Sequence, residues 1–99
     1  MVEVVWSAEA RDDLRSIADY IAKDSIRYAQ AVVARLIHAS ERPGHFPRSG
    51  RIVPELQTED IRETVEGNYR ILYLTSTGRC TIITIVHSRQ SIQKRFIGG

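Results

Sequence analysis

Cysteine is almost missing from this chain. Cys80 is the only one among 99 residues, so neither a disulfide nor a cysteine-based zinc site can form within a single copy. A lone thiol inside an apolar run reads as a small core residue. No apolar run approaches the roughly 20 residues that cross a bilayer, and the opening MVEVVWSAEA lacks the charged and apolar regions of a signal peptide. The cytoplasm is therefore the expected compartment, with no membrane partner. Proline is confined to Pro43, Pro47 and Pro54, which leaves the chain on either side free for regular structure. Acidic residues stop at Glu66: from Gly67 to Gly99 there are five basic residues and none acidic, whereas residues 1–60 hold eight Lys/Arg against ten Asp/Glu. That asymmetry marks the C-terminal third as a candidate anion-facing surface, the plainer reading being that it keeps a hairpin soluble.

What is present fits one domain, residues 1–99, since two cores cut from this length would be too small to offset chain entropy. VEVVW (2–6) is β-branched and aromatic and reads as a strand. Ser7 suits a helix N-cap, and Leu14, Ile17, Ala18 and Ile21 recur at helical spacing, which predicts a helix over about residues 8–23. Asp24 or Ser25 can cap a second helix, in which Ala29, Val32, Val33, Leu36 and Ser40 keep the spacing until Pro43-Gly44. PGHFPRSGRIVPEL (43–56) then reads as a loop with extended pieces. From Asp60 the period falls to two, and DIRETVE, YRILYLT and CTIITIVH are separated by the turn signals Gly67-Asn68 and STGR. The expected class is α+β: an N-terminal strand and helical hairpin packed on a curved, largely antiparallel sheet, in the order β-α-α-β-β-β. Alternation places Tyr69 and Tyr73 toward the helices and sends Arg62, Arg70 and His87 toward one face, where a matching register would let them converge.

Four segments, VVWSAEARDDLRSIADYI, FPRSGRIVPEL, IRETVEGNYRILYL and IVHSRQ, resemble in order and spacing the RelE/ParE superfamily of toxins from type II toxin–antitoxin modules. The resemblance runs from Val4 to about Gln90. It implies a toxin neutralised by a cognate antitoxin, with operator DNA reached only through that antitoxin. It leaves two targets open. RelE-like members cleave messenger RNA on the ribosome, and ParE-like members inhibit DNA gyrase without chemistry; a non-toxic antitoxin-binding module is the third reading.

Metal-free RNA cleavage needs a base, cations for the phosphorane-like transition state and an acid for the leaving group. By resemblance to the ribonuclease members, Glu55 of VPEL is the candidate base and Arg70 of NYRILY the candidate phosphate contact; the plainer reading of Arg70 pairs it with Glu55 or Glu63 as a structural bridge. His87 is the candidate acid, with Arg89 the alternative at that place. Arg62, Arg89, Lys94 and Arg95 are the further candidate phosphate-binding residues, and no metal or cofactor is expected. Arginine suits the task because its planar fork stays charged and grips two oxygens. The chain departs from the ribonuclease members in carrying Ser88 where a tyrosine occurs and in having only two lysines, Lys23 and Lys94.

Overall fold

The computed structural model describes residues 2–90 and residue 92. Strand β1 (Glu3–Trp6) leads into helices α1 (Ala8–Ala22) and α2 (Ile26–Ser40), then a one-turn helix α3 (Arg42–His45). Strands β2 (Arg51–Ile52), β3 (Ile61–Glu66), β4 (Tyr69–Ser76) and β5 (Arg79–His87) follow. The expected class and order are present. Two small elements, α3 and β2, occupy what the sequence reading left as loop: Pro43 sits in the first turn of α3, where its missing N–H costs nothing, and β2 is two residues long.

Each long helix begins on a serine. The Ser7 hydroxyl accepts from the Ala10 N–H at 3.0 Å, and the Ser25 hydroxyl accepts from the Tyr28 N–H at 3.0 Å. Ser7 does more, since its hydroxyl also donates to the Ile83 carbonyl at 2.8 Å and so ties the start of α1 to β5.

The sheet order is β1-β5-β4-β3-β2, with every pair antiparallel except β1 and β5. The first strand thus lies parallel against the last. β1 ends opposite Ile82, leaving the rest of β5 with an open edge, which α1 covers: the Asp13 carboxylate accepts from the Ile85 N–H at 3.1 Å and from the Thr84 hydroxyl. Buried backbone donors need such partners, and a carboxylate here substitutes for a strand.

Two apolar clusters sandwich the sheet. On the helix side Ala10, Val32, Leu36, Ile71, Tyr73, Cys80, Ile82 and Ile85 pack together, with Leu14, Ile17, Ile21 and Tyr69 against them. On the opposite side a smaller cluster joins Val53, Leu72, Val86 and Ile92. That second face is therefore partly roofed by the segment after β2 and by Ile92.

Candidate functional site

The residues of interest sit beneath that roof. Gly67, at φ +58°, opens a two-residue turn that pairs Glu66 with Tyr69, so Arg70 falls opposite Val65 and shares a face with Glu63. Arg62 falls on the other face, opposite Tyr73. The same parity carries through β5, where Val86 lies opposite Arg70 and His87 opposite Tyr69. The expected convergence of Arg62, Arg70 and His87 does not occur, because the pleat sends adjacent partners Tyr69/His87 and Arg70/Val86 to opposite sides.

Arg70 meets Glu55 instead. Pro54 opens a turn in which the Leu56 and Gln57 N–H groups donate to the Val53 carbonyl at 3.1 and 2.9 Å. With Val53 and Leu56 anchored in the second cluster, Glu55 between them is held over the sheet. Its carboxylate takes both terminal nitrogens of Arg70, Nη1 to Oε2 at 2.8 Å and Nη2 to Oε1 at 2.7 Å. On its inner edge Arg70 donates from Nε to Glu63 Oε1 at 2.7 Å, and Arg51 donates from Nε to Glu63 Oε2. The side chains of Glu63 and Arg70 are 0% and 7% exposed, and that of Glu55 is 25% exposed. Among the described residues, two guanidinium and two carboxylate groups thus form one connected set whose formal charges balance.

Electrostatics follow from that geometry. The hydrogen bonds from Arg70 hold the Glu55 carboxyl down at about 2, against an ordinary 4.5, and desolvation only partly opposes them. Arg70 is driven the opposite way, chiefly by its hydrogen bonds to Glu55. At neutral pH this carboxylate is ionised but a weak proton acceptor, and the guanidinium edge that would clasp a phosphate is occupied.

The other expected residues lie elsewhere. Arg62 donates from Nη1 to the Gly50 carbonyl at 3.0 Å, and its Nε is buried with no hydrogen-bond partner among the described residues. His87 packs edge-on against Tyr69, ring centroids 5.7 Å apart, and its Nδ1 accepts from the Arg89 N–H at 3.3 Å, which leaves Nε2 as the donor of the neutral ring. Arg89 is exposed in the turn after β5. Lys94 and Arg95 lie outside the described residues. No group of three or more metal-ligating side chains is found among the described residues.

The sequence reading named Glu55 or Glu63 as a structural partner for Arg70, and both hold it; it missed Arg51 and the Tyr73 anchor. Tyr73, fully buried, accepts at its hydroxyl from the Gly50 N–H at 2.9 Å and donates to the Pro47 carbonyl at 3.1 Å, pinning the loop from the helix side. Gly50 is required there: an added Cβ would lie 2.4 Å from the Tyr73 hydroxyl oxygen and 2.6 Å from the Glu63 carbonyl. The signal for Glu63 was in the sequence, since counting back from a two-residue turn at Gly67-Asn68 puts it on Arg70's side.

The family described as "ParE toxin of type II toxin-antitoxin system, parDE" matches residues 4–92 of this chain. The chain belongs to the ParE toxin family. Toxin RelE2 of Caulobacter vibrioides is 36% identical over 89 residues, covering 89% of this chain and 97% of that protein. Among solved structures, the chromosomal ParDE system from P. aeruginosa superposes with a TM-score of 0.73 at 17% identity, over 88% of this chain and 96% of that one. The RelBE2 toxin–antitoxin complex from Mycobacterium tuberculosis gives 0.58 at 22% identity, over 87% and 90%. Relatives named for both ParE and RelE share this fold, so it does not by itself select a target.

Proposed function

We propose that this ParE-family toxin acts by binding a protein target, DNA gyrase, and makes or breaks no covalent bond. The observation that carries the reading is the mutual saturation of Glu55 and Arg70. The candidate base is held at about 2 by the group that would have to clasp the phosphate, and the candidate acid, His87, is on the other side of the sheet. A general base works best with a pKa near the operating pH, and Glu55 is far below it. Membership of the ParE family supports the same choice of target. In this reading a cognate antitoxin, encoded beside the toxin, covers the chain and neutralises it, and both structural neighbours are toxin–antitoxin systems.

One observation favours the ribonuclease: Glu55 and Arg70 do touch, so a substrate phosphate that displaced the carboxylate would find base and clamp together. Inducing the protein in bacteria separates the two. Gyrase inhibition predicts DNA breaks and filamented cells with intact messenger RNA, and a Glu55→Gln variant that stays toxic. RNA ends within codons, abolished by Glu55→Gln, would establish the nuclease with Glu55 as base, Arg70 as clamp and His87 as acid, assisted by Arg62, Arg89, Lys94 and Arg95. Co-expression with the adjacent reading frame is expected to yield a stable complex.

A further inference from the structure

β5 ends with the His87 ring edge-on to Tyr69 on the helix side of the sheet, yet Ile92 is fully buried in the cluster on the opposite side. The chain leaves the helix side through a turn at residues 87–90. The Ser88 N–H donates to the Asn68 carbonyl at 2.7 Å and the Gln90 N–H to the His87 carbonyl at 2.9 Å. The His87 N–H donates to Gln90 Oε1 at 2.8 Å, and the Arg89 N–H donates to His87 Nδ1 at 3.3 Å. Of these four bonds, only the last depends on a titratable group. Beyond the turn, the Ile92 N–H donates to the Glu55 carboxylate, so the segment that changes face also closes over the Glu55–Arg70 pair.

A ring nitrogen that accepts must carry no proton, and an imidazole is the side chain that ordinarily exchanges a proton between about pH 5 and 8. With both nitrogens protonated, Nδ1 becomes a donor and meets the Arg89 N–H, so an attraction turns into a repulsion. The groups that face the ring are Tyr69 on β4, Glu66 beyond Tyr69 on β3, and Arg89 in the turn itself. Tyr20 of α1 and Tyr28 of α2 stand close enough to act on the Tyr69 hydroxyl, and Lys23 lies 5.8 Å from the Tyr20 ring. No ion pair joins the His87 ring to a carboxylate among the described residues. Glu55, held at about 2 by Arg70, keeps its charge throughout the range in which an imidazole titrates.

We propose that His87 is a proton-operated latch for the segment over Glu55: a proton taken at Nδ1 opens the turn at residues 87–90 and frees Ile92 from the far cluster. The latch is shut while the imidazole is neutral and opens as the pH falls. Opening withdraws the Ile92 N–H from Glu55 and uncovers the Glu55–Arg70 pair. The helices and the five-stranded sheet stay in place, because the bonds lost lie at or beyond the end of β5. The device is independent of the toxin's target.

The test is NMR of the isotope-labelled full chain between about pH 8 and about pH 5, across the range in which an imidazole titrates. It follows the His87 ring, the Arg89 amide and the hydrogen-exchange protection of the Ile92 amide, corrected for the intrinsic pH dependence of exchange. All three are expected to change with one midpoint, and Ile92 protection to fall about fivefold, the size of one net hydrogen bond. His87→Asn keeps an acceptor, Oδ1, for the N–H two residues on and carries no titratable proton, so it is expected to hold Ile92 protected throughout. His87→Lys supplies a fixed charge and no acceptor and is expected to show the low protection at every pH. His87→Ala, which also lacks the acceptor, serves should His87→Lys not fold. Four outcomes would each overturn the proposal: a flat Ile92 profile in the parent, a midpoint that differs from the His87 ring's, a pH dependence that survives in His87→Asn and so belongs to His38 or His45, or full Ile92 protection in a folded His87→Lys or His87→Ala protein.

Discussion

Arg70 illustrates how a residue suited to chemistry can be committed to structure. Its fork is shared between Glu55 and the fully buried Glu63, so removing it leaves Glu63 with Arg51 as its one remaining cationic partner among the described residues. Arg70→Ala is expected to destabilise the fold by about 3–5 kcal/mol in urea unfolding, the range for breaking one side of a buried ion pair. Arg70→Lys is expected to restore little, because an ammonium cannot serve both carboxylates with the same geometry. Loss of toxicity in Arg70→Ala is therefore to be read beside its urea midpoint, since destabilisation alone can produce it. Acid offers a second measurement. Because the Glu55 carboxyl is depressed in the fold to about 2 from 4.5, its contribution is complete above about pH 4.5 and is lost as pH falls through about 2. Urea midpoints followed from pH 5 downward are expected to fall less steeply in Glu55→Gln than in the parent.

At the level of elements, much of the fold was legible. Both long helices, the Ser7 cap and the three C-terminal strands follow from spacing, N-cap chemistry and turn residues, the structure chooses Ser25 over Asp24 for the second cap, and Tyr69 and Tyr73 lie on the helix side as alternation required. What escaped has physical causes. β2 is two residues long and α3 one turn, too short for any period to register. The faces of Arg62 and His87 depended on parity across two turns and a β-bulge at Leu72/Tyr73. Glu63 was named as a possible bridge partner of Arg70, but its full burial and its second partner Arg51 escaped, because an acidic residue in an alternating strand is ordinarily solvated. The parallel pairing of β1 with β5 has no local signature at all. The two caps also differ in a testable way. Ser7 satisfies the Ala10 N–H and the Ile83 carbonyl, whereas Ser25 satisfies one exposed donor. Ser25→Ala is expected to cost about 0.5–1 kcal/mol and Ser7→Ala about 1–2 kcal/mol, compared by thermal unfolding.

Across the whole molecule, the two faces of the sheet are closed by chain from opposite ends of the sequence. The N-terminal hairpin covers one, while Val53 and Ile92 help to cover the other. Ile92→Ala is expected to cost about 2–5 kcal/mol by denaturant titration and to loosen the roof that positions Glu55. The parallel contact between β1 and β5 carries the longest reach. Glu3 pairs with Arg79 and Trp6 with Ile82, so closing the sheet joins positions 76 residues apart, a contact that carries a large loop-closure cost and forms late in folding. Until β5 has docked, β1 has no neighbour in the sheet and the Asp13 carboxylate of α1 has no strand edge to cap, so the two ends of the fold are ordered together or not at all.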